Sequence, residues 1–353
     1  MAYRNNYIDL LRGIAALSVI AIHTAFWSGE SYTPMWFRNL TLFVDVPLFF
    51  YLSGWASGYG KSDIIKTGKG IINIWLKWIF FISLLALVCL ITKLLPIQFQ
   101  GVTDVRDLFN NYMFNVSFPG FKVVAGSIWF MPYYFIVVFI NTIVISFINK
   151  CTRVSELKFL YMYILLGLFV WIIYGRDIFR LDIFFIFYSL FWMLGYNRVG
   201  TSEPVRFVAL LALCVGGFFL ASYLQGIPLY DLQSSKFPPT LKYGAASMIT
   251  ILVVKFFENK VKKYNAFLVH IGRNAIYYYF AQGVSSSFIY LFIPCININS
   301  WFAKWVILFV LNVLMAVIMA EAMAAIYKGL SRNNPIKYII KKVVRERNEK
   351  TTC

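Results

Sequence analysis

Two histidines, His23 and His270, are the only imidazoles in 353 residues, so a reaction that needs a base titrating near neutral pH has little choice. His23 is the stronger candidate. It closes the largely apolar stretch Asp9-Leu10-Leu11-Arg12-Gly13-Ile14-Ala15-Ala16-Leu17-Ser18-Val19-Ile20-Ala21-Ile22-His23. Eleven residues of α-helix make about three turns and about 16 Å, so Arg12 and His23 share one face, a permanent cation near one end and a base farther along. Ionisable groups within a membrane face protein or a water-filled cavity and suggest function by default. The competing reading makes Arg12 an interfacial anchor and His23 part of an aromatic belt with Phe26 and Trp27. From the residues alone both readings stand. Asp45 could orient His23, accept a hydrogen bond from a substrate, or pair with a neighbouring helix. Glu321 is another carboxylate placed in an apolar span, where it could serve a substrate or simply meet Lys242 or a water chain. His270, after Lys260, Lys262 and Lys263, reads as a surface residue. The five cysteines show no CxxC spacing and no nearby histidine, so neither a metal site nor a redox pair is expected.

The elements that must carry these residues are set by composition. Hydrophobic residues make up 60% and charged residues 14%, against about 45–50% and about 25% in soluble domains. A soluble globule is excluded, and lipid must solvate much of the chain. Ten apolar windows are long enough to span a bilayer: 8–27, 40–59, 71–95, 124–149, 157–175, 181–197, 205–224, 239–258, 272–293 and 301–328. The expected fold is all-α, a polytopic bundle of about ten transmembrane helices. Placing the N-terminus inside puts 23 of the 33 Lys and Arg on that face and 8 on the other, so both termini are expected in the cytoplasm. The formal charge of +18 then sets orientation, and no nucleic-acid partner is expected. The first span lacks a small-residue cleavage site and reads as retained rather than as a signal peptide. Residues 1–330 read as one transmembrane domain and 331–353 as a basic cytoplasmic tail at the membrane surface. The connection 96–123, on the outer face by the same count, is either a lid or an ordinary polar loop with a short helix near 104–115.

Several segments, in order, resemble acyltransferase family 3, a family of integral membrane enzymes. Arg12 and His23 fit its Arg-x10-His pattern in a first span beginning Asp9-Leu10-Leu11-Arg12-Gly13-Ile14-Ala15-Ala16. Val44-Asp45-Val46-Pro47-Leu48-Phe49-Phe50-Tyr51-Leu52-Ser53-Gly54 is similar to its second-span motif, and Ser127-Ile128-Trp129-Phe130-Met131 to its fourth-span motif. Lys236-Phe237-Pro238-Pro239-Thr240-Leu241-Lys242-Tyr243 and Gly272-Arg273-Asn274-Ala275-Ile276-Tyr277-Tyr278-Tyr279 resemble two further segments. The chain departs from the pattern at Gln282, where many relatives carry His, and at Ile74 and Lys77, where they carry a pair of arginines.

The resemblance implies an O-acyltransferase that takes acetyl, or another acyl group, from acetyl-CoA to a hydroxyl of a surface polysaccharide or its lipid-linked precursor, such as an O-antigen or capsule unit. It implies a bacterial inner-membrane location and no metal. His23 would act as general base or acyl carrier. Arg12, with Lys69 and Arg273, would bind the CoA phosphates, although either of the latter could be only an interfacial anchor. Asp45 joins the catalytic candidates, and Trp129 and Glu321 the acceptor-binding ones. The alternative is a transporter or flippase of a polyprenyl-linked glycan, with Arg12, Asp45 and Glu321 lining its path, and a third reading is a non-catalytic assembly subunit.

Overall fold

The computed structural model describes residues 4–26, 32–59, 63–93, 105–116, 121–151, 156–174 and 182–332. Among these residues there is no strand, and fourteen α-helices carry the fold. In chain order they are α1 (Asn6–Phe26), α2 (Met35–Thr41), α3 (Val46–Ser57), α4 (Ile64–Lys93), α5 (Val105–Tyr112), α6 (Lys122–Ile128) and α7 (Phe130–Cys151). Then follow α8 (Glu156–Tyr174), α9 (Ile183–Tyr196), α10 (Pro204–Leu224), α11 (Leu241–Phe256), α12 (Ala266–Arg273), α13 (Ala275–Phe292) and α14 (Trp301–Arg332). The protein is an all-α polytopic membrane protein, and the described residues of each of the ten apolar windows are mostly helical. The proposed tail from 333 onward lies outside the described residues.

Seven segments are long and apolar enough to cross a membrane, and burial sorts them into centre and rim. Of the most apolar stretch of α1, 72% is buried inside the protein, against 11% for α10, whose leucines and phenylalanines face outward. The other three expected spans, on α9, α11 and α13, are shorter or more polar. Helix α13 shows why: Gln282, Ser285 and Ser286 are fully or almost fully buried, so its polar groups face protein rather than lipid.

Two glycine-matched crossings bring the central helices together. A Cβ on Gly13 of α1 would overlap the carbonyl of Leu268 in α12, and one on Gly272 would overlap the carbonyl of Asp9. The same reciprocal fit joins α3 and α9 through Gly54 and Gly195. Small residues allow this backbone approach, which drives helix association where lipid removes the hydrophobic incentive. Helices α1 and α14 run antiparallel. Near the chain start, Asn6 accepts a bond from Arg273, whose helix also carries the His270 that meets Glu321 of α14, while at the far end Asn312 bonds Thr24.

Helix α5 does form near the expected position, but it packs along α4, where Trp78 and Trp75 donate to the carbonyls of Asn111 and Tyr112 at 3.1 and 3.3 Å. These tryptophans stand about 16–21 Å along α4 from its Ile64 start, and Phe114, just past α5, stacks on Trp78. Its buried Asn111 and the indole donors explain the placement, since polar backbone inside the bundle needs partners. Residues 96–104 and 117–120 of the 96–123 connection lie outside the described residues.

Candidate active site

Helix α1 joins two chemically different ends. At its start Asp9 is 1% exposed and surrounded by three guanidinium groups. Arg4 forms a forked pair with it at 2.6 and 3.2 Å, Arg273 approaches at 3.5 Å and Arg12, one turn on, at 3.7 Å. One carboxylate facing three arginines leaves positive charge in excess. The Gly13–Gly272 crossing creates this cluster, because it draws Arg273 at the end of α12 against the first turns of α1. A cavity of about 740 Å³ opens beside it, lined by Arg4, Arg12, Lys66, Ser53, Ser57 and Tyr134 among others. A second cavity of about 290 Å³ continues past Arg12 and Arg273 to Phe49, Phe130 and Tyr279. Arg12, Ser53, Ile74 and Tyr134 line both, so Arg12 stands where a cationic, exposed mouth passes into an aromatic inner end. Phe130 and Tyr279, with ring centres 5.0 Å apart, line that inner end, and Tyr279 donates its hydroxyl proton to the carbonyl of Ser127.

His23 lies farther along, 8% exposed. Its electrostatic neighbours are Lys236 and Asp45, and Gln282 of α13 stands beside the ring. No hydrogen bond of ordinary geometry satisfies His23 Nδ1, and both amide atoms of Gln282 are buried without partners among the described residues. The charges here are paired: Lys236 Nζ is 2.6 Å from Asp45 Oδ2, and the Tyr243 hydroxyl donates to the same oxygen at 2.8 Å. Asp45 precedes α3 in the N-cap position, but its side chain makes no cap bond because it turns to Lys236 and Tyr243. The Lys236 ammonium also lies 5.7 Å from the centre of the Trp129 ring, which packs edge-on against Phe237.

Helix interruptions place several of these groups. Trp129 separates α6 from α7, Asn274 separates α12 from α13 just after Arg273, and Asp45 falls between α2 and α3. Irregular backbone at membrane depth is tolerated where it is buried in protein or lines a cavity.

The sequence-derived candidates thus divide. Arg12 and Arg273 meet at one end, and His23, Asp45 and Trp129 gather at the other. Lys69 is exposed and absent from both cavities, where Lys66, one turn earlier, takes the place at the mouth. Glu321 stays away from the site: it is 43% exposed and bonds His270 at 2.7 Å and Tyr278 at 2.6 Å, while Lys242 points instead to the carbonyls of Pro228 and Asp231. Four residues had no role assigned from sequence: Arg4, Asp9, Lys236 and Gln282. Lys236 lies in one of the family-like segments and Gln282 at a departure from one, but their neighbours Asp45 and His23 come from distant segments. Among the described residues no group of three or more His, Cys, Asp or Glu could hold a metal ion.

An all-helical membrane bundle with a buried histidine on the same helix as an arginine that lines two cavities defines a class of integral membrane enzyme. A family model described as an acyltransferase domain matches residues 5–321. The chain belongs to this family, acyltransferase family 3, and is a membrane acyltransferase. No curated protein and no solved structure matches it.

Proposed function

We propose that this protein is an acetyl-CoA-dependent O-acyltransferase of the bacterial inner membrane, with both termini cytoplasmic, acting on a surface polysaccharide or its lipid-linked precursor. The observation that carries this reading is the arrangement along α1: Arg12 at the junction of two cavities and His23 buried on the same helix face about 16 Å beyond. The anionic end of CoA suits the mouth, where Arg4, Arg12, Arg273 and Lys66 offer planar forks and a point charge to phosphate oxygens. The uncharged pantetheine arm suits the aromatic inner end and carries the thioester toward His23.

A sugar hydroxyl is a weak nucleophile. His23 removes its proton as the oxygen attacks the thioester carbonyl, a C–O bond forms, the C–S bond breaks, and the CoA sulfur leaves with the proton that His23 returns. Asp45 and Lys236, paired beside the ring, fix the electrostatic surroundings in which the imidazolium forms, and Trp129 supplies an aromatic surface for the acceptor ring.

The test is mass spectrometry of the surface glycan from cells lacking the gene and complemented with wild type or His23→Ala at equal membrane levels. Acylation by wild type and an unmodified glycan with His23→Ala support the reading. Loss of the glycan itself without the gene, or normal acylation by His23→Ala, would overturn it.

A further inference from the structure

Gln282 is 0% exposed and its side chain interacts with the His23 imidazole, yet among the described residues no hydrogen bond of ordinary geometry satisfies its amide nitrogen or oxygen. A buried amide left unpaired is costly, so one retained inside a packed bundle points to a ligand that completes it. Nor is the side chain carried on a loose element. One turn farther along α13, Ser285 donates to Asn312 Oδ1 at 2.6 Å, while Asn312 Nδ2 donates to Ser286 at 3.0 Å and to Thr24 at 2.9 Å. Asn312, itself buried, therefore ties α13 just beyond Gln282 to α1 just beyond His23. Three residues before Gln282, Tyr279 lines the inner end of the second cavity. Gln282 therefore follows this cavity-lining tyrosine by about one helical turn and stands beside His23.

The unused bonding capacity is neutral. The nearby charges, Asp45 and Lys236, already face each other at 2.6 Å. A primary amide offers two N–H donors and a carbonyl acceptor, a set that hydroxyls, which both accept and donate, can satisfy and a carboxylate or an alkyl group cannot.

On the reading that this protein acylates a sugar, we infer that Gln282 binds the acceptor through the hydroxyl adjacent to the one that His23 deprotonates. The acceptor class is then a neutral vicinal diol, and Gln282 contributes to its recognition.

The experiment uses the full-length protein in lipid nanodiscs, radiolabelled acetyl-CoA, and a panel of decyl hexosides together with the monodeoxy derivatives of whichever hexoside is acylated. Gln282→Leu keeps the approximate volume and removes only polar atoms the fold leaves unpaired, so thermal stability should be unchanged or higher. Transfer efficiency to the parent hexoside should fall by about 10- to 100-fold, chiefly through the acceptor KM, with the KM for acetyl-CoA and the pH profile unmoved. On the deoxy acceptor lacking the adjacent hydroxyl, wild type should lose a similar factor and Gln282→Leu should add little to it. Losses that multiply on the deoxy acceptor, or a shifted pH profile, would show that Gln282 serves the imidazole instead and would overturn the inference. Transfer by wild type to no hexoside would overturn the sugar-acylation reading itself, a result distinct from wild-type transfer that is indifferent to Gln282.

Discussion

The two ends of α1 handle charge in opposite ways. At the Arg12 end, three guanidinium groups share one carboxylate, and Arg4, Arg12 and Arg273 remain 55%, 32% and 48% exposed. At the His23 end, Lys236 and Asp45 are 8% and 4% exposed and pair one to one, while the groups there without an ordinary hydrogen bond among the described residues are an imidazole nitrogen and an amide. An exposed cluster can afford surplus charge because water and salt screen it, and the surplus is what attracts a polyanion. A buried centre cannot carry an unpaired ion, so it keeps its capacity for ligands in an imidazole and an amide. The difference suits one end to hold phosphates and the other to position an uncharged nucleophile.

Breaking the buried end should have the largest effect. His23→Ala is expected to lower acyl transfer by at least about 100-fold, with unchanged membrane level and unchanged retention on a CoA-agarose column. Loss of CoA binding in this variant would join the two ends functionally and blur the contrast. Next comes the buried pair. Asp45→Leu alone, which leaves Lys236 buried without its partner, should destabilise the protein by about 3–5 kcal/mol in detergent unfolding, and adding Lys236→Met should restore most of that. A double variant no more stable than the single would show that Tyr243 and the packing around Asp45 matter more than the ion pair.

At the exposed end the effects should be smaller and sensitive to salt. Arg12→Lys keeps the charge but not the planar fork, so the KM for acetyl-CoA should rise by about tenfold with little change for the acceptor. Raising the ionic strength should move the same constant in the same direction. An Arg12→Lys variant with an unaltered acetyl-CoA KM would remove the phosphate-clamp role. Asn312→Ala, which deletes the hydrogen bonds linking α1, α13 and α14, should destabilise by about 1–3 kcal/mol and lower the transfer rate more than it alters binding of CoA. The smallest effect is expected at Glu321. Its bonds to His270 and Tyr278 lie on the exposed side of the bundle, and Glu321→Gln should change stability by less than about 1 kcal/mol and leave transfer as in wild type.

Helix periodicity is local, so the shared face of Arg12 and His23 and the positions of the apolar spans could be read along the chain. The same logic could not place residues whose neighbours come from elsewhere. Lys69 and Lys66 look equivalent in a basic loop, and only the direction in which α4 leaves it puts Lys66 on the cavity. Glu321 looked like a costly charge in lipid until α12 brought His270 beside it. The segment around α5 carries the Asp and Asn content of a polar loop, and only the fold shows that indole donors on α4 hold its backbone.

What the sequence determined by itself is the membrane class, the spans and the α1 register, because each depends on hydrophobicity and on a repeat of a few residues. The tertiary structure alone decided which groups meet. Tyr243 reaches Asp45 across 198 residues, Arg273 reaches Asn6 across 267, and Asn312 reaches Thr24 across 288. Such contacts depend on helices crossing at matched glycines and on buried polar groups finding partners, and both require surfaces that exist only once the bundle has packed.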